Sequence, residues 1–275
     1  MAVTLTTNPY KIDEPFAISF SGGRTSGFML RSVLDAHGGL PSGSHVCFAN
    51  TGKEHPATLQ FVKECQENWG VPIVWVERVF DDTKFKVVTF DTASRNGEPF
   101  DQLITKRKYL PNPVARFCTS ELKVFAISYY LKSVGMTEGT MAIGLRADEP
   151  RRVKKVQGDV RNGFDSDCPV SRAGHTLEDV ESYWRSSPFD LHLPNNDRAF
   201  GNCDLCFLKS RSMTDRVLKH DESSAQWWID QEAKIGGTFR KDRPKYSAML
   251  HQIRIQPDLF PDDDDSSTVP CTCTD

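Results

Sequence analysis

Residues 21–26 lie between an apolar run typical of a strand and a segment with the apolar spacing of a helix. Residues 16–20 are almost all apolar, and residues 27–37 place apolar side chains at helical spacing. The small residues between them would let a backbone approach an anion closely, and their hydroxyls lie where a new helix has unpaired N–H groups. This predicts a nucleotide phosphate site, whereas Gly-Gly alone would indicate only a tight turn. The candidate residues are Ser21, Gly22, Gly23, Arg24, Thr25 and Ser26.

Apolar runs and helical patterns alternate beyond this loop. Strands are predicted at residues 45–50, 71–76 and 140–145, and helices at residues 55–69 and 119–134. Because strands that alternate with helices form parallel sheets covered on both faces, the pattern predicts an α/β, Rossmann-like fold. Residues 151–169 are polar and contain two glycines, which predicts a mobile loop over the site.

Composition divides the chain into three predicted parts. Residues 1–200 carry the alternating pattern and are expected to form the nucleotide-binding domain. Residues 201–260 contain two cysteines and several helical patterns, which predicts a helical subdomain packed on that domain. Residues 261–275 include four consecutive aspartates and end in Cys271-Thr-Cys273-Thr-Asp, a composition typical of a flexible acidic tail.

The overall charge and hydropathy restrict the class of protein. Thirty-four basic and 37 acidic residues leave a net charge of −3, which argues against a protein held on nucleic acid by overall charge. Local basic runs such as residues 106–108 could still bind nucleic acid, although solvated surface is their more ordinary role. No apolar run is long enough to cross a bilayer, and residues 1–15 lack a signal-peptide core. These features predict a cytoplasmic protein without membrane contact.

Several of the eight cysteines have spacings that indicate chemistry rather than disulfides. Cys203 and Cys206 are separated by two residues, which allows both thiolates to bind one metal ion or cluster. Cys118 lies at the predicted start of a helix, where the helix dipole stabilises a thiolate. These three are the candidate metal ligands. A fourth ligand could be Cys168, Cys271 or Cys273, although Cys168 is more simply explained as a loop thiol without a partner.

Residues 16–208 resemble the phosphoadenosine phosphosulfate (PAPS) reductase family, within the PP-loop group of ATP pyrophosphatases. The segment from Ser21 to Ser26 is similar to the PP-loop, and Asn50-Thr51-Gly52 resembles the Asp-Thr-Gly motif after the second strand. Residues 144–151 resemble the arginine-bearing substrate loop, and residues 201–206 resemble half of the iron–sulfur cluster motif. The resemblance implies an adenine nucleotide alpha hydrolase-like fold that binds ATP, adenosine phosphosulfate or PAPS. It places nucleotide contacts at Asn50, Thr51, Gly52, Arg146 and Arg151.

The motifs depart from the family pattern at three places. Thr119 stands where cluster-containing reductases have a second adjacent cysteine, and Thr25 stands where ATP pyrophosphatases have an aspartate. The terminal Glu-Cys-Gly motif that carries the family's nucleophile is absent, although Cys271 and Cys273 occupy a similar terminal position. The two loop glycines keep the form found in enzymes that split ATP into AMP and pyrophosphate.

Three functions are compatible with these residues. The first is a sulfonucleotide reductase with a [4Fe–4S] cluster on Cys118, Cys203 and Cys206, in which Cys271, Cys273 and Arg146 act on the sulfate. The second is an ATP-dependent, adenylating sulfurtransferase that acts on a nucleic acid or another acceptor. The third is a non-catalytic nucleotide-binding protein with structural zinc, whose fourth ligand would be a histidine. The partners expected are a small nucleotide and an external thiol or sulfur donor. A Mg²⁺ ion and a homodimer are also compatible with the sequence.

Overall fold

The computed structural model describes residues 8–255 and shows a seven-stranded, mostly parallel sheet. The strands are β1 (Phe16–Ser19), β2 (His45–Ala49), β3 (Ile73–Arg78), β4 (Phe85–Val88), β5 (Gly139–Ile143), β6 (Val160–Arg161) and β7 (Phe164–Asp167). Their order in the sheet is β4-β3-β2-β1-β5-β7-β6. The five central strands are parallel, and β4 and β6 add antiparallel edges.

Eleven α-helices connect and cover the strands in the described part of the chain. The helices are α1 (Arg24–His37), α2 (Pro56–Trp69), α3 (Glu98–Arg107), α4 (Phe117–Thr119), α5 (Ala126–Ser133), α6 (Pro150–Val156), α7 (Pro169–Arg172), α8 (Leu177–Arg185), α9 (Arg211–His220), α10 (Ala225–Ile235) and α11 (Tyr246–Ile255). One continuous helical run, residues 117–133, consists of α4, the six-residue π-helical turn Ser120–Phe125 and α5.

Alternate side chains of the central strands enter two apolar layers, one on each face of the sheet. On one face, Ile18 and Phe48 pack with residues of α1, α2 and α8. On the other face, Ala17 and Cys47 pack with Ile127 and other residues of α5. Because each face needs its own helical cover, the α/β fold with helices on both faces is confirmed.

A second large core lies beside the sheet. It contains the fully buried Trp228 of α10 and residues of α9 and α11. It also contains Phe100 and Leu103 from α3 and Leu122 from the π-helical turn. The helical C-terminal portion is therefore present, and its core uses residues from both sides of the predicted boundary at residue 200.

Residues 151–169 differ from the predicted mobile loop. They contain most of α6, the short hairpin of β6 and β7, and the start of α7. Strand β7 adds to the sheet because it pairs with β5, with Ala142 opposite Asp167. Its sequence, Phe-Asp-Ser-Asp, has a single apolar residue, so the strand depends on its pairing partner and has no apolar pattern of its own. Gly158 and Gly163 occupy turns with positive φ.

The predicted tail with Cys271 and Cys273 lies outside the described residues. Within residues 8–255, no helix combines the length and the apolar composition needed to span a membrane.

Candidate functional site

The predicted phosphate loop joins the end of β1 to the start of α1. The Ser26 hydroxyl donates to the Gly23 carbonyl (2.9 Å) and accepts hydrogen bonds from the Ser21 hydroxyl (2.7 Å) and amide (3.2 Å). Two of the predicted hydroxyls therefore hold the loop in shape. Gly22 has a φ of +81°, and a Cβ there would lie 2.7 Å from Thr58 Cγ2, so the loop requires glycine at this position.

The start of α1 provides the electrostatics expected of an anion site. Gly23 is its N-cap, and no side chain in the described part of the protein caps this end. The N–H groups of the first turn therefore remain available to an anion, and the helix dipole favours negative charge there.

Arg146 connects residues 144–151, the predicted substrate loop, to the predicted phosphate loop. Its Nη1 donates to Thr25 Oγ1 at 3.1 Å, and its Nε donates to Asp148 Oδ1 at 3.0 Å. The side chain is almost buried, which restricts its orientation. Gly144 makes this approach close, since a Cβ there would lie 3.0 Å from the Ser26 Cα. The structure therefore brings together two segments that the sequence predicted as separate parts of one site.

Arg24 and Arg151 have different positions at the site. Arg24 is directed toward the loop after α8, where its guanidinium donates to both carboxylate oxygens of Asp190 at 2.8 and 2.7 Å. It also donates to the Leu191 carbonyl at 3.1 Å. Arg151 is exposed on α6, at the wall of the cleft beside the phosphate loop.

The loop from Asn50 to Gly52 is buried, and two glutamates bind its polar groups. The Asn50 amide donates to Glu77 Oε1 at 2.6 Å, and Thr51 donates to Glu54 through its hydroxyl (2.8 Å) and its amide (2.9 Å). Neither glutamate was identified from the sequence. The three-residue spacing of Thr51 and Glu54 is a local signal that could have found one of them, whereas Glu77 comes from β3.

Two cavities meet at Ser21. A cleft of about 800 Å³ extends from the phosphate loop past Arg146 and Arg151 to Cys206. A smaller cavity of about 110 Å³ lies at the ends of β1, β2 and β5, with a largely apolar lining that includes Ala49, Ile127 and Met141. Ser21 lines both cavities. A ligand with an apolar end and an anionic end could therefore occupy both.

Lys123 also lines the small cavity and was not identified from the sequence. It lies on the π-helical turn, and its Nζ is 3.8 Å from Glu54 Oε1. π-helical turns often occur at functional sites because they change the direction of side chains within a helix. No local sequence pattern marks this turn, so tertiary structure was needed to locate the lysine.

The cysteine loop lies against the Asn50–Glu54 region. Cys203 forms a β-bridge with Glu54, and its Sγ is 3.6 Å from Thr51 Oγ1. Burial raises the pKa of the Cys203 thiol well above its ordinary value, and the nearby Glu54 carboxylate raises it further. Cys206 follows in the same turn, with its amide 3.2 Å from the Cys203 carbonyl, and reaches the cleft.

Two buried lysines hold this loop in place. Lys53 forms an ion pair with Asp204 at 2.8 Å, and Asp204 also accepts a hydrogen bond from Trp228 Nε1 at 2.8 Å. The Lys209 ammonium donates to the Cys203 carbonyl at 2.8 Å. These contacts fix the loop between the sheet domain and the second core.

The candidate metal ligands are only partly brought together. Cys118, Cys203 and Cys206 all pack at the edge of the second core. Nevertheless, within residues 8–255 no three cysteine, histidine, aspartate or glutamate side chains are grouped closely enough to hold a metal. The described residues thus do not by themselves fit a cluster or a zinc ion, and any further ligands would have to come from elsewhere in the chain.

Cys168, one candidate for the fourth ligand, lies in a separate apolar cluster with Leu145 and Val156. Burial and the adjacent Asp167 raise the pKa of its thiol to about 12. The structure therefore places it apart from the other three and makes it a packing residue. Cys271 and Cys273 lie outside the described residues.

Comparison with known proteins identifies the family of this chain. The sequence profile of the phosphoadenosine phosphosulfate reductase domain matches residues 15–165, a range that ends before the Cys203–Cys206 loop. The "Uncharacterized nin region protein ORF290" of Escherichia phage lambda is 30% identical over 214 residues, which cover 74% of this chain and 70% of that protein.

A crystal structure of phosphoadenylyl-sulfate (PAPS) reductase from Candida auris, in a phosphate complex, has 15% sequence identity and a TM-score of 0.37. The alignment covers 62% of this chain and 71% of that chain. The family assignment rests on the profile match and on the phage relative. The chain belongs to the phosphoadenosine phosphosulfate reductase domain family.

Proposed function

We propose that this protein is an enzyme that binds an adenine nucleotide across the two cavities and carries out sulfur chemistry at its anionic end. The observation that carries the proposal is the position of Ser21, which lines both the small apolar cavity and the charged cleft. An adenine ring suits the first environment, and phosphate or phosphosulfate suits the second, at the start of α1.

Arg146 is the residue best placed to act on the anionic end. Its contact with Thr25 puts a guanidinium beside the phosphate loop, and Asp148 fixes its direction. A positive group held in place before the reaction stabilises charge on a leaving phosphate without reorganisation. Arg151, exposed at the wall of the cleft, could neutralise a further oxyanion.

The sulfonucleotide reductase is the first form of the proposal. A cysteine thiolate attacks the sulfate sulfur of adenosine phosphosulfate, and the bond between that sulfur and the phosphate oxygen breaks. The products are a protein thiosulfonate and the nucleotide monophosphate. An external thiol then attacks the cysteine sulfur, which forms a disulfide and releases sulfite. The two thiols supply the two electrons that reduce sulfate to sulfite.

The nucleophile in this reaction is predicted to be Cys271 or Cys273, by analogy with the terminal cysteine of the family. An iron–sulfur cluster stays a prediction that no step above requires. Its predicted ligands are Cys118, Cys203 and Cys206, but residues 8–255 bring no three such side chains close enough to hold a metal, so no role in the reaction is assigned to it.

A direct assay tests this form of the proposal. The full-length protein would be incubated with adenosine phosphosulfate or PAPS and a thiol, and sulfite would be measured. We expect sulfite release that is abolished in the double variant Cys271→Ser/Cys273→Ser and retained in Cys168→Ala, whose thiol belongs to a separate apolar cluster. Full activity in the double variant would contradict the assigned nucleophile. Absence of sulfite from both nucleotides would contradict the reductase.

An ATP-dependent sulfurtransferase is the second form. It is favoured by the Gly22-Gly23 form of the loop and by a cleft of about 800 Å³, which leaves space for an acceptor beside a nucleotide. In this reaction an acceptor oxygen attacks the α-phosphate of ATP, pyrophosphate leaves, and a sulfur donor then displaces AMP. Pyrophosphate release that requires both ATP and an acceptor would support it, and release of sulfite from a phosphosulfate would favour the reductase instead.

A further inference from the structure

The turn after β3, the end of α3 and the outer side of the helical run 117–133 form a continuous surface of basic and aromatic side chains. We propose that this surface binds single-stranded nucleic acid. We call it the basic–aromatic surface. Its exposed or half-buried members are Phe80, Lys84, Lys106, Arg107, Lys108, Tyr109 and Tyr129, and they pack on the buried Arg78 and Phe117.

A chain of cation–π contacts makes this surface continuous. The Arg78 guanidinium lies over the rings of Phe80 (4.5 Å) and Tyr129 (5.0 Å). Lys84 also lies over Tyr129 (5.3 Å), and Lys106 lies over Phe80 (5.3 Å). These contacts restrict the motion of the long basic side chains, so less conformational entropy is lost when an anion binds them.

A second line of contacts extends the surface toward the start of α4. Arg107 lies over the Phe117 ring at 5.5 Å, and Tyr109 packs edge-to-face on the same ring with centroids 4.7 Å apart. Cys118 is the next residue after Phe117. The surface therefore ends beside one of the candidate ligands of the functional site.

The charge of this surface is available to a partner. Glu121 neutralises Arg78 and Arg107, whereas Lys84, Lys106 and Lys108 are exposed and form no ion pair with any residue in the range 8–255. Asp81 and Asp82 lie in the same turn as Lys84 but are both exposed to solvent. Three exposed ammonium groups on a protein of net charge −3 constitute a local site for phosphates.

Tyr109 favours a single strand over other polyanions. The residue is 43% exposed although its ring packs edge-to-face with Phe117, so part of Tyr109 is accessible to a base. Proteins that bind single strands combine a basic track with aromatic rings on which unpaired bases stack. An acidic peptide or a duplex offers phosphate-like charge without a base that can stack on this ring.

Fluorescence anisotropy with labelled single-stranded DNA and RNA 20-mers tests the proposal on the full-length protein. We expect binding whose log Kd depends linearly on log salt. The triple variant Lys84→Gln/Lys106→Gln/Lys108→Gln should reduce that slope by about 2, since each phosphate contact on a single strand contributes about 0.7. The matched control Lys219→Gln/Lys241→Gln/Lys245→Gln, which changes three exposed lysines elsewhere, should leave the slope unchanged.

Two variants of Tyr109 test whether bases stack on its ring. Tyr109→Ala should weaken binding by about tenfold, and Tyr109→Phe should retain it, because the phenyl ring still stacks. No measurable binding, equal effects of the two lysine triples, or competition by polyglutamate as strong as that by unlabelled oligonucleotide would each overturn the proposal. So would tighter binding to a duplex of the same sequence.

This inference does not rest on the proposed enzymatic function. Nucleotide binding by the lysine triple should equal that of the wild type, because none of the three lysines lines either cavity. If the lysine triple loses oligonucleotide binding but keeps nucleotide binding, the basic–aromatic surface is the oligonucleotide site. If the wild type fails to bind nucleotide, that result contradicts the proposed function and leaves this proposal unaffected.

Discussion

The guanidinium of Arg24 donates hydrogen bonds to both carboxylate oxygens of Asp190, although the two residues are 166 positions apart. Trp184 Nε1 donates to the Arg24 carbonyl at 2.9 Å, so the start of α1 is bound to α8 and to the loop that follows it. This loop continues toward the cysteine pair. Arg24 therefore connects the phosphate loop to the opposite wall of the cleft.

A double-mutant cycle tests whether Arg24 acts through Asp190 or through the nucleotide itself. If the ion pair positions the loop, Arg24→Ala and Asp190→Ala should weaken ATP binding by similar factors, and the double variant should be no worse than either. The coupling measured by urea unfolding should be about 1 kcal/mol, as for other partly exposed pairs. A far larger loss of ATP affinity in Arg24→Ala than in Asp190→Ala would instead show direct contact with phosphate.

Replacement of Arg146 by alanine should weaken the binding of anionic nucleotides by about 10- to 100-fold, because a charged hydrogen bond contributes about 1.5–3 kcal/mol. Calorimetry with ATP and adenosine phosphosulfate would measure the change. Adenosine, which lacks the anionic end, should bind equally to both proteins. Arg185→Ala, an exposed arginine on α8, is the matched control. Equal losses for adenosine and ATP would indicate general disruption of the site.

Glycine at position 22 should be essential to the phosphate loop. Gly22→Ala should lower the free energy of unfolding by about 2–4 kcal/mol, because it combines a positive φ with a steric clash against Thr58. Gly38 has a similar φ of +73°, but a Cβ there would meet nothing within 4 Å, so Gly38→Ala should cost only about 1 kcal/mol. Urea unfolding would measure the loss of unfolding free energy in both variants. The difference between the two losses is the cost of the steric clash at position 22. Equal destabilisation would contradict the close packing seen at Gly22.

Iron and sulfide content would test the predicted cluster. Protein purified without oxygen should contain both if the cluster exists, and Cys203→Ser and Cys206→Ser should lose them. Because residues 8–255 hold no complete ligand group, Cys271→Ser/Cys273→Ser should also reduce the iron content. Cys168→Ala should not, since Cys168 lies in a separate cluster. A colourless protein with stoichiometric zinc would contradict the iron–sulfur prediction.

His55 should make stability depend on pH. Its Nδ1 accepts the Ala57 amide at 3.1 Å as the N-cap of α2, which requires a neutral ring. Burial lowers the pKa of His55, and the nearby Lys209 ammonium lowers it further. Below about pH 6.5 the unfolded chain then binds more protons than the folded one, so stability falls as pH falls through this range and is fully present above about pH 7.

The measurement is urea unfolding at pH 7.5 and pH 5.5. The loss of stability between them should be larger in the wild type than in His55→Asn, because asparagine retains an N-cap oxygen that does not titrate. Identical pH dependence in the two proteins would show that His55 is not responsible.

Local sequence was sufficient to predict a strand, loop or helix wherever the segment has an apolar or turn pattern of its own. The strand, loop and helix around Ser21 were predictable because glycine conformation, helix starts and apolar spacing are properties of neighbouring residues. Residues 151–169 had no such pattern, and β7 forms there only because β5 provides its hydrogen-bonding partner. Cys168 looked like a ligand candidate by composition, but packing with Leu145 placed it elsewhere.

The sequence by itself therefore determined the α/β class, the strand–loop–helix unit around Ser21 and the family, because each depends on short motifs in a set order. Tertiary structure alone decided which side chains share the site. It brought Arg146 to Thr25 across 121 positions, paired Asn50 with Glu77 and directed Lys123 into the small cavity. Such partners are set by strand order and by helix direction, which depend on contacts between distant parts of the chain.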